Sequence, residues 1–411
     1  MNRLVIIGNG FDLAHGLPTR YEDFINWYWQ YRISKLTEEQ TNVSDDGLCS
    51  FTTREDLSWE YLFSCWGVVP KKMSVEQILS RINSQYHLCK ISKSTFFKNI
   101  CQSIENKKWV DIENEYYKLL IDFTLEKSYY DDAEKEKELQ SLNNQLDHLR
   151  ELLSIYLSEL DTQELEKKDS IWNAIYAPIN SADIASKEQK CMEDHVNFWL
   201  KQGPDALKKR QAIFEVNPEE YNRVIDDKGN AILLTFGEED YPLLYRLPSR
   251  IMLLNFNYTS TPEIYLNKKV ASIDYIHGKL DQPANMIFGY GDEIDDKFKQ
   301  LKELNDEESL KNVKSIRYLE APNYRDLLSF LDSEPYQVLI MGHSCGNSDR
   351  TLLNTIFEHD NCVSIKVYYY QKDDGTDDYI EKVQNISRNF NDMKLMRDRV
   401  VNKTQCEPLV K

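Results

Sequence analysis

Leu4-Val5-Ile6-Ile7-Gly8-Asn9-Gly10-Phe11-Asp12 is the stretch that decides the fold of this chain. Four consecutive apolar residues lead into Gly-x-Gly, a pattern that predicts a buried strand ending in a glycine-rich turn. Nucleotide-binding doubly wound sheets begin in this way, because backbone N–H groups and a helix N-terminus then face an anion. Gly-x-Gly alone also fits a tight turn that only needs small residues, so other parts of the sequence must distinguish the two.

Length and composition predict a large globular chain. Its 411 residues suggest two domains or one domain with a large insertion, and 41% hydrophobic and 12% aromatic residues suffice for a sizeable core. No apolar run approaches the roughly 18 residues that span a bilayer, and a strand that begins near residue 4 leaves no room for a signal peptide. We therefore expect a cytoplasmic protein without a membrane segment.

The net charge of −18 and the eight cysteines exclude several classes of function. The charge argues against nucleic acid as a partner, since a phosphate backbone requires basic stripes, but a local nest of N–H groups still accommodates a small anion. The cysteines are scattered without any Cys-x-x-Cys pair, which predicts reduced thiols and no zinc site, and we expect no metal.

Strand-like runs return only late in the chain. They lie at 232–235, 250–257, 270–277, 286–290, 337–342 and 364–370, and several are continuously apolar, as in strands covered on both faces. We predict an α/β fold with a Rossmann-like, mostly parallel sheet and a large, mainly α-helical insertion. The nucleotide-binding domain is predicted at 1–30 and 230–411, and the insertion at 31–229.

The insertion contains a heptad pattern at about 134–168. Apolar residues alternate spacings of three and four at Leu139, Leu142, Leu146, Leu149, Leu153, Tyr156 and Leu160. Such a seam has to bury its apolar stripe against another helix. The partner is either a helix of the same chain or a second copy in a homo-oligomer.

Polar residues follow several predicted strands. Asn255 to Thr261, His277-Gly278 and Gly342-His343-Ser344 each come directly after an apolar run, and Asp349 opens the next helical stretch. Ligands of open parallel sheets bind outside the carboxyl ends of the strands. We therefore expect these groups to converge with the first glycine-rich turn on one cleft.

Several motifs carry a family resemblance. Gly8-Asn9-Gly10-Phe11-Asp12-Leu13-Ala14-His15-Gly16-Leu17-Pro18-Thr19 resembles the opening of the AbiH family of bacterial phage abortive-infection proteins. Asn255-Phe256-Asn257-Tyr258-Thr259, His277-Gly278, Gly342-His343-Ser344 and Trp109-Val110-Asp111-Ile112-Glu113 fit that family too. The order of motifs is also similar to the sirtuin-like superfamily, in which Gly-Ala-Gly-x-Ser is followed by Gly-Ile-Pro, Gln-Asn-x-Asp, His-Gly and Gly-x-Ser.

This resemblance implies a sirtuin-like sheet that binds NAD. It implies that Asn257 and His277 are catalytic, and that the dinucleotide contacts Gly8, Asn9, Gly10, Phe11, Asp12, Tyr258, Gly342 and Ser344. The chain departs from the superfamily at Asp12, where a serine is expected, and at Thr259, where an aspartate is expected. It also lacks the Cys-x-x-Cys pairs of sirtuin deacylases, so NAD cleavage fits better than protein deacylation.

The residues suit this chemistry without the analogy. Cleavage of the nicotinamide–ribose bond passes through an oxocarbenium-like state. It requires side chains that bind the ribose hydroxyls and a group that activates one water molecule. The Asn257 amide can both accept from and donate to a hydroxyl, and His277 can take a proton at neutral pH. Asp12 is expected to bind a ribose hydroxyl or to raise the pKa of a nearby base. Asp111 and Glu113 do not share a helix face, which favours an amphipathic helix that buries Trp109 and Ile112. The alternative is that one acid, Glu113 rather than Asp111, reaches the cleft.

Two further readings remain. Gly342-His343-Ser344-Cys345-Gly346 fits the Gly-x-Ser-x-Gly elbow of serine hydrolases, but no histidine follows His359, which lies within the next predicted helix. A nucleotide-binding switch without turnover is the second. We predict an anti-phage protein that hydrolyses NAD during infection. The activity has to be inactive in healthy cells. The alternatives for its control are autoinhibition by the insertion, oligomerisation and a phage-derived trigger.

Overall fold

The structure is a computed structural model that describes residues 1–38, 41–70, 72–107, 110–126, 131–233 and 241–410. The strands in these residues are β1 (Asn2–Ile7), β2 (Val43–Asp45), β3 (Cys49–Thr53), β4 (Cys89–Lys93), β5 (Ile251–Asn255), β6 (Ala271–Tyr275), β7 (Tyr336–Met341) and β8 (Cys362–Tyr368). The helices are α1 (Asn9–Ala14), α2 (Tyr21–Glu38), α3 (Trp59–Trp66), α4 (Val75–Ser84), α5 (Thr95–Lys107), α6 (Ile112–Ile121), α7 (Asp132–Leu160), α8 (Asp169–Tyr176), α9 (Gln189–Gln202), α10 (Pro204–Ile213), α11 (Pro218–Asn222), α12 (Leu243–Arg246), α13 (Asp296–Glu303), α14 (Glu307–Leu310), α15 (Lys314–Arg317), α16 (Asn323–Ser333), α17 (Arg350–Phe357), α18 (Tyr379–Arg388) and α19 (Met393–Arg399).

The chain divides into two compact units. The sheet unit comprises Met1–Leu17, Asp161–Ile287 and Ser315–Lys411, and the helical unit comprises Pro18–Leu160 and Phe288–Lys314. Segments 18–30 and 288–314 cluster with the helical unit, and residues 161–229 cluster with the sheet. The reason is that Ile171 and Ile175 of α8 are buried in the same apolar cluster as Val5 of β1.

The sheet unit is built on five parallel strands in the order β6-β5-β1-β7-β8. Leu4 of β1 pairs with Met252 on one side and with Val338 on the other. Every residue of β1, β5 and β7 is buried, as the continuous apolar runs predicted. The prediction of an α/β fold with a mostly parallel sheet is thus confirmed.

Helices cover both faces of this sheet. Successive side chains of a strand point to opposite faces. Leu4 and Ile6 therefore enter one apolar cluster, whereas Val5 and Ile7 enter another. Both clusters are closed by residues that lie far away in the sequence, such as Ile356 of α17 in the first.

The strand order identifies a switch point. Counted only among the strands of this sheet, the order is 3-2-1-4-5, which is the beginning of the Rossmann arrangement. The chain builds outward from β1 through β5 and β6, then returns to the other side of β1 with β7 and β8. The order therefore reverses between β1 and β7, where doubly wound sheets open a crevice for a ligand.

Two predicted strands are wrong in the described residues. Segment 286–290 contains no strand, although the Ile287 amide donates to the His277 carbonyl at 2.8 Å and Tyr290 forms one isolated bridge with Val313. Ile232 and Leu233 are not in a strand either, and Leu234 and Thr235 lie outside the described residues. Apolar composition alone did not distinguish these extended loops from sheet strands.

The helical unit also contains a small sheet that was not predicted. β2, β3 and β4 form an antiparallel sheet in that order, and β3 alternates buried with half-buried residues. These strands are short and polar, with Ser44, Ser50 and Ser92 among their residues. Their sequences therefore carry little of the β-propensity signal on which strand prediction depends.

The heptad helix is α7, which ends at Leu160 rather than at the predicted residue 168. Leu142, Leu146 and Leu149 are at most 2% exposed, and α7 contacts α2, α6 and α14 of its own unit. Helices of the same chain therefore bury this stripe. None of the described helices combines the length and apolar character required to cross a membrane. All eight cysteines are free thiols.

Candidate functional site

Four connections of the sheet unit, which we call the four loops and of which the first includes α1, meet at the carboxyl ends of the parallel strands. They follow β1, β5, β6 and β7, and together they carry all the predicted site residues: Gly8, Asn9, Gly10, Phe11, Asp12, Asn257, Tyr258, His277, Gly342 and Ser344. Hydrogen bonds and ring contacts join the four loops, as detailed below. The convergence expected from the sequence thus occurs, but the individual residues serve different purposes within it.

The glycine-rich turns after β1 and β7 interlock at the switch point. The Gly8 amide donates to the Met341 carbonyl at 3.2 Å, and the Gly10 amide donates to the Gly342 carbonyl at 2.8 Å. A Cβ at Gly10 would lie 2.8 Å from that carbonyl oxygen. Gly342 has φ +77°, and a Cβ there would overlap the Phe11 amide nitrogen. The glycines are needed because two backbones approach one another, irrespective of any ligand.

This contact changes the expected role of the first turn. The Gly10 amide is bonded to protein, and the Phe11 amide donates to the Gly8 carbonyl at 2.8 Å. The Phe11 ring is fully buried among His15 and Tyr265, with ring centroids 4.9 and 5.5 Å away. Phe11 therefore packs in the core, whereas Asn9 is exposed at the edge of the site.

Asp12 and Thr259 are bonded to each other. The Thr259 hydroxyl donates to Asp12 Oδ2 at 2.7 Å, and both residues are 1% exposed. Burial raises the pKa of Asp12 from 3.8 to about 6, against the opposing effect of the hydroxyl of Thr259. These are the two positions at which the chain departs from the sirtuin-like pattern. Their contact ties α1 to the loop after β5.

Asn257 joins the loop after β5 to the first turn. Its side-chain amide donates to the Gly8 carbonyl at 3.0 Å, and its backbone amide donates to Asn255 Oδ1 at 3.1 Å. The side chain is half-buried, beside the switch point. The neighbouring Tyr258 hydroxyl donates to the Ile287 carbonyl at 2.8 Å, and its ring lies 6.4 Å from that of His277.

His277 lies in a buried polar cluster. Its Nδ1 is 3.2 Å from the Phe256 carbonyl, and its Nε2 is 3.1 Å from the Tyr318 hydroxyl and 3.3 Å from Asp349 Oδ1. A carbonyl oxygen can only accept, so Nδ1 carries a proton and Nε2 is the basic nitrogen of the neutral ring. His277 therefore has the tautomer that a proton acceptor at Nε2 requires.

His343 faces the same carboxylate from the other side. The Cys345 amide donates to His343 Nδ1 at 3.0 Å, and His343 Nε2 is 3.6 Å from Asp349 Oδ2. The ring of Phe256 packs 4.3 Å from the His343 ring and 5.2 Å from the His277 ring. His277, Asp349 and His343 thus form one group, which we call the His–Asp–His cluster.

The sequence places His343 and Asp349 at this edge of the sheet but assigns neither a chemical role, and it does not indicate Tyr318 at all. A histidine directly after a buried strand is the signal that selects His277, and the same signal applies to His343. Tyr318 had no signal, because it lies within a polar helical stretch, 41 residues beyond its partner His277.

Ser344 does not have the geometry of a nucleophile elbow. Among the described residues of this loop, positive φ occurs at Gly342 and Cys345, with φ +55° at Cys345, whereas the elbow places its strain on the serine. The Ser344 side chain is exposed, and its carbonyl accepts from the Asn385 amide at 2.9 Å. Burial raises the pKa of the adjacent Cys345 thiol to about 12, so this cysteine stays protonated.

The acidic motif at 109–113 belongs to the helical unit. Trp109 lies outside the described residues. Asp111 accepts from the Asn114 amide at 3.0 Å and caps α6. Glu113 Oε2 is 2.9 Å from the Lys314 ammonium and its Oε1 accepts from the Gly289 amide at 3.1 Å. Glu113 therefore ties α6 to segment 288–314 within that unit.

A search for metal-binding side chains and comparisons with known proteins complete the description of the site. Across the described ranges, no group of three or more His, Cys, Asp or Glu side chains is arranged to hold a metal ion. A family model described as Bacteriophage abortive infection AbiH matches residues 4–371, which include all four loops of the site. No curated protein and no solved structure matches the chain significantly.

Proposed function

Because the chain belongs to the AbiH family of bacteriophage abortive infection proteins, we propose that it defends the cell by binding NAD and hydrolysing its nicotinamide–ribose bond. The proposed site is the carboxyl edge of the sheet around the switch point. Asn257 and His277 are its catalytic residues. Gly8, Asn9, Gly10, Asp12, Tyr258, Gly342 and Ser344 form its surroundings, with Phe11 beneath them in the core.

The environment of His277 Nε2 carries this proposal. With Nδ1 held by the Phe256 carbonyl, Nε2 already accepts from one hydroxyl, that of Tyr318, at 3.1 Å. A water or a ribose hydroxyl at the same place would be deprotonated by the same nitrogen. Asp349 at 3.3 Å then faces the positive charge that the ring acquires. A carboxylate beside this nitrogen favours the protonated ring and so makes His277 a stronger base.

The chemistry requires one base and no acid. Water attacks the anomeric carbon of the nicotinamide ribose, a C–O bond forms, and the C–N bond breaks. Its electron pair stays on the ring nitrogen of nicotinamide, which loses its positive charge and leaves as a neutral molecule. The proton of the water passes to His277 Nε2 and then to solvent. Asn257 has the donor and acceptor atoms to orient a ribose hydroxyl during this step.

Burial of the site fits an activity that is held off until infection. His277 is 5% exposed and Tyr318 is 5% exposed, so NAD reaches Nε2 only after the Tyr318 hydroxyl moves away. A phage-derived trigger or oligomerisation would supply the free energy for this opening. Constitutive depletion of NAD is incompatible with growth of the cell that carries the protein, whereas a closed resting site is compatible with it.

The test is nicotinamide release by the purified chain, alone and with extracts of phage-infected cells. We expect release in the triggered sample and a loss of at least about 10²-fold in His277→Ala and Asn257→Ala. His359→Ala is the matched control, because His359 contacts Asp332 at the opposite end of β7. Unchanged NAD in every triggered sample and in infected cells would contradict the proposal.

A nucleotide-binding switch without turnover is the second candidate. The observation that favours it is the hydrogen bond from the Gly10 amide to the Gly342 carbonyl. A nucleotide that binds between these two turns would break this bond and change the packing of α1, and no bond of the nucleotide would need to be cleaved. Calorimetry with NAD and ADP-ribose distinguishes the two functions. Saturable binding without nicotinamide release favours the switch.

A further inference from the structure

We propose that Asp349 is the positioning residue of the site and that it couples His277 and His343 into one proton-sharing unit. This inference rests on the proposed function for its catalytic consequence, but its geometric part can be tested without any turnover. Each carboxylate oxygen of Asp349 faces one histidine: Oδ1 is 3.3 Å from His277 Nε2, and Oδ2 is 3.6 Å from His343 Nε2.

The position of Asp349 in its helix is the first argument. Asp349 is the N-cap residue of α17, where an aspartate usually accepts from a backbone amide of the first turn. Its side chain makes no capping hydrogen bond in this helix. The carboxylate faces the two histidine rings instead. Such an arrangement is expected of a residue held for its effect on the histidines.

The hydrogen bonds on the far sides of the rings are the second argument. The Cys345 amide donates to His343 Nδ1, so the neutral His343 ring carries its proton on Nε2 and presents it to Asp349. The Phe256 carbonyl accepts from His277 Nδ1, so a proton taken up by His277 is added at Nε2, next to Asp349. The two rings therefore have opposite tautomers, set by their backbone partners.

These tautomers assign distinct tasks within the cluster. Nε2 of His343 faces Asp349 Oδ2 at 3.6 Å, which is longer than a hydrogen bond, whereas Oδ1 receives the Nε2–H of His277 only after His277 has accepted a proton. Asp349 is 8% exposed and His343 is 4% exposed, so water screens this interaction little. His277 is thus a stronger base with Asp349 than without it, because the carboxylate lies beside the nitrogen that takes up the proton.

Other groups around the cluster have defined positions. Tyr318 donates its hydroxyl to His277 Nε2 in the resting state, and Lys382 of α18 donates to the His343 carbonyl at 3.2 Å. Cys345 stays protonated because burial raises the pKa of its thiol. Asp349 contacts both rings with its carboxylate oxygens, within 3.6 Å of each Nε2.

The test uses the full-length chain labelled with ¹⁵N and histidine side-chain NMR over a range of pH. The ring signals of His277 and His343 are assigned by their loss from the spectra of His277→Gln and His343→Gln. We expect neutral His277 with its proton on Nδ1 and neutral His343 with its proton on Nε2. In Asp349→Asn we expect His277 to take up its second proton at a pH lower by about one unit or more, because a negative neighbour is lost. Asp349→Glu, which keeps the charge, should recover part of this shift.

Asp274→Asn is the matched control. Asp274 is a buried aspartate of the same sheet, 6% exposed, and its carboxylate accepts from the Asn323 amide. It should leave the titration of His277 unchanged. If Asp349→Asn does not fold, His343→Gln provides the measurement, since loss of coupling between the rings should change the titration curve of His277.

Unchanged tautomers and an unchanged His277 titration in folded Asp349→Asn overturn the inference, whatever the protein does to NAD. If the titration shifts but NAD is never cleaved, the proposed function fails and the role of Asp349 stands. If NAD is cleaved, Asp349→Asn should lower kcat by about 10²-fold with little change in KM. The acidic limb of its pH–rate profile should also move to lower pH, because His277 is then protonated only at lower pH.

Discussion

Asp12→Asn should make the stability of this protein less dependent on pH. Asp12 is 1% exposed, and burial raises the pKa of its carboxyl to about 6 in the folded chain, against 3.8 when it is solvated. Between these two values the folded state binds more protons than the unfolded state. Stability therefore falls as the pH rises across this window, which is the reverse of the effect of an ion-paired carboxylate.

The magnitude follows from the difference between the two pKa values. About two pKa units correspond to about 3 kcal/mol of stability lost by the time Asp12 is fully ionised, at 1.36 kcal/mol per unit. About 2 kcal/mol of this loss falls between about pH 4.5 and about pH 7.5. An asparagine has nearly the same shape, retains an oxygen that accepts from Thr259, and cannot ionise. The variant should therefore gain about 2 kcal/mol relative to the parent protein across this interval.

Urea unfolding of both proteins at several pH values measures this difference. Comparing the two proteins removes the contribution of other titrating groups, including Asp274, whose pKa burial also raises to about 6. Thr259→Val is the companion variant: without the 2.7 Å hydrogen bond the pKa of Asp12 rises further, and the fall in stability extends to higher pH. A difference between parent and Asp12→Asn that stays constant from acid to neutral pH would refute the reasoning.

Four further outcomes can be measured by standard methods. Gly342→Ala should lower the free energy of unfolding by at least about 3 kcal/mol, because φ is +77° and the added Cβ overlaps the Phe11 amide nitrogen. An unchanged melting temperature would show that the turns after β1 and β7 can separate without loss of stability. Glu113→Gln removes the carboxylate that lies 2.9 Å from the 1%-exposed Lys314 ammonium and should lower the free energy of unfolding by about 3 kcal/mol. A loss below about 1 kcal/mol, the value of a surface ion pair, would contradict the importance of this buried pair. Leu149→Ala should lower the free energy of unfolding in urea by about 2–5 kcal/mol. It should leave the oligomeric state on size-exclusion chromatography unchanged, and dissociation of an oligomer would show that the apolar stripe of α7 is an interface between copies. Ser344 should not react with fluorophosphonates, and covalent labelling that Ser344→Ala abolishes would revive the serine hydrolase reading.

The sequence by itself determined the kind of sheet and the place of its edge. Val5 and its apolar neighbours predict a buried strand, and the glycine-rich turn after it predicts the start of a doubly wound fold, because both signals are local. The same holds for the ends of β5, β6 and β7, where polar residues directly follow apolar runs. The heptad of α7 was also visible in the sequence, since its spacing is a property of one helix.

The tertiary structure decided which groups meet. The 3-2-1-4-5 strand order, which places the switch point between β1 and β7, depends on how distant segments pair. The hydrogen bond between Asp12 and Thr259 joins residues 247 positions apart, and it turns two departures from a family pattern into one contact. Asp349 belongs to the site only because α17 begins beside His277, which follows β6, and His343, which follows β7. Local patterns in a sequence report what one segment buries, whereas the partners of a buried polar group are set by the packing of the whole sheet unit.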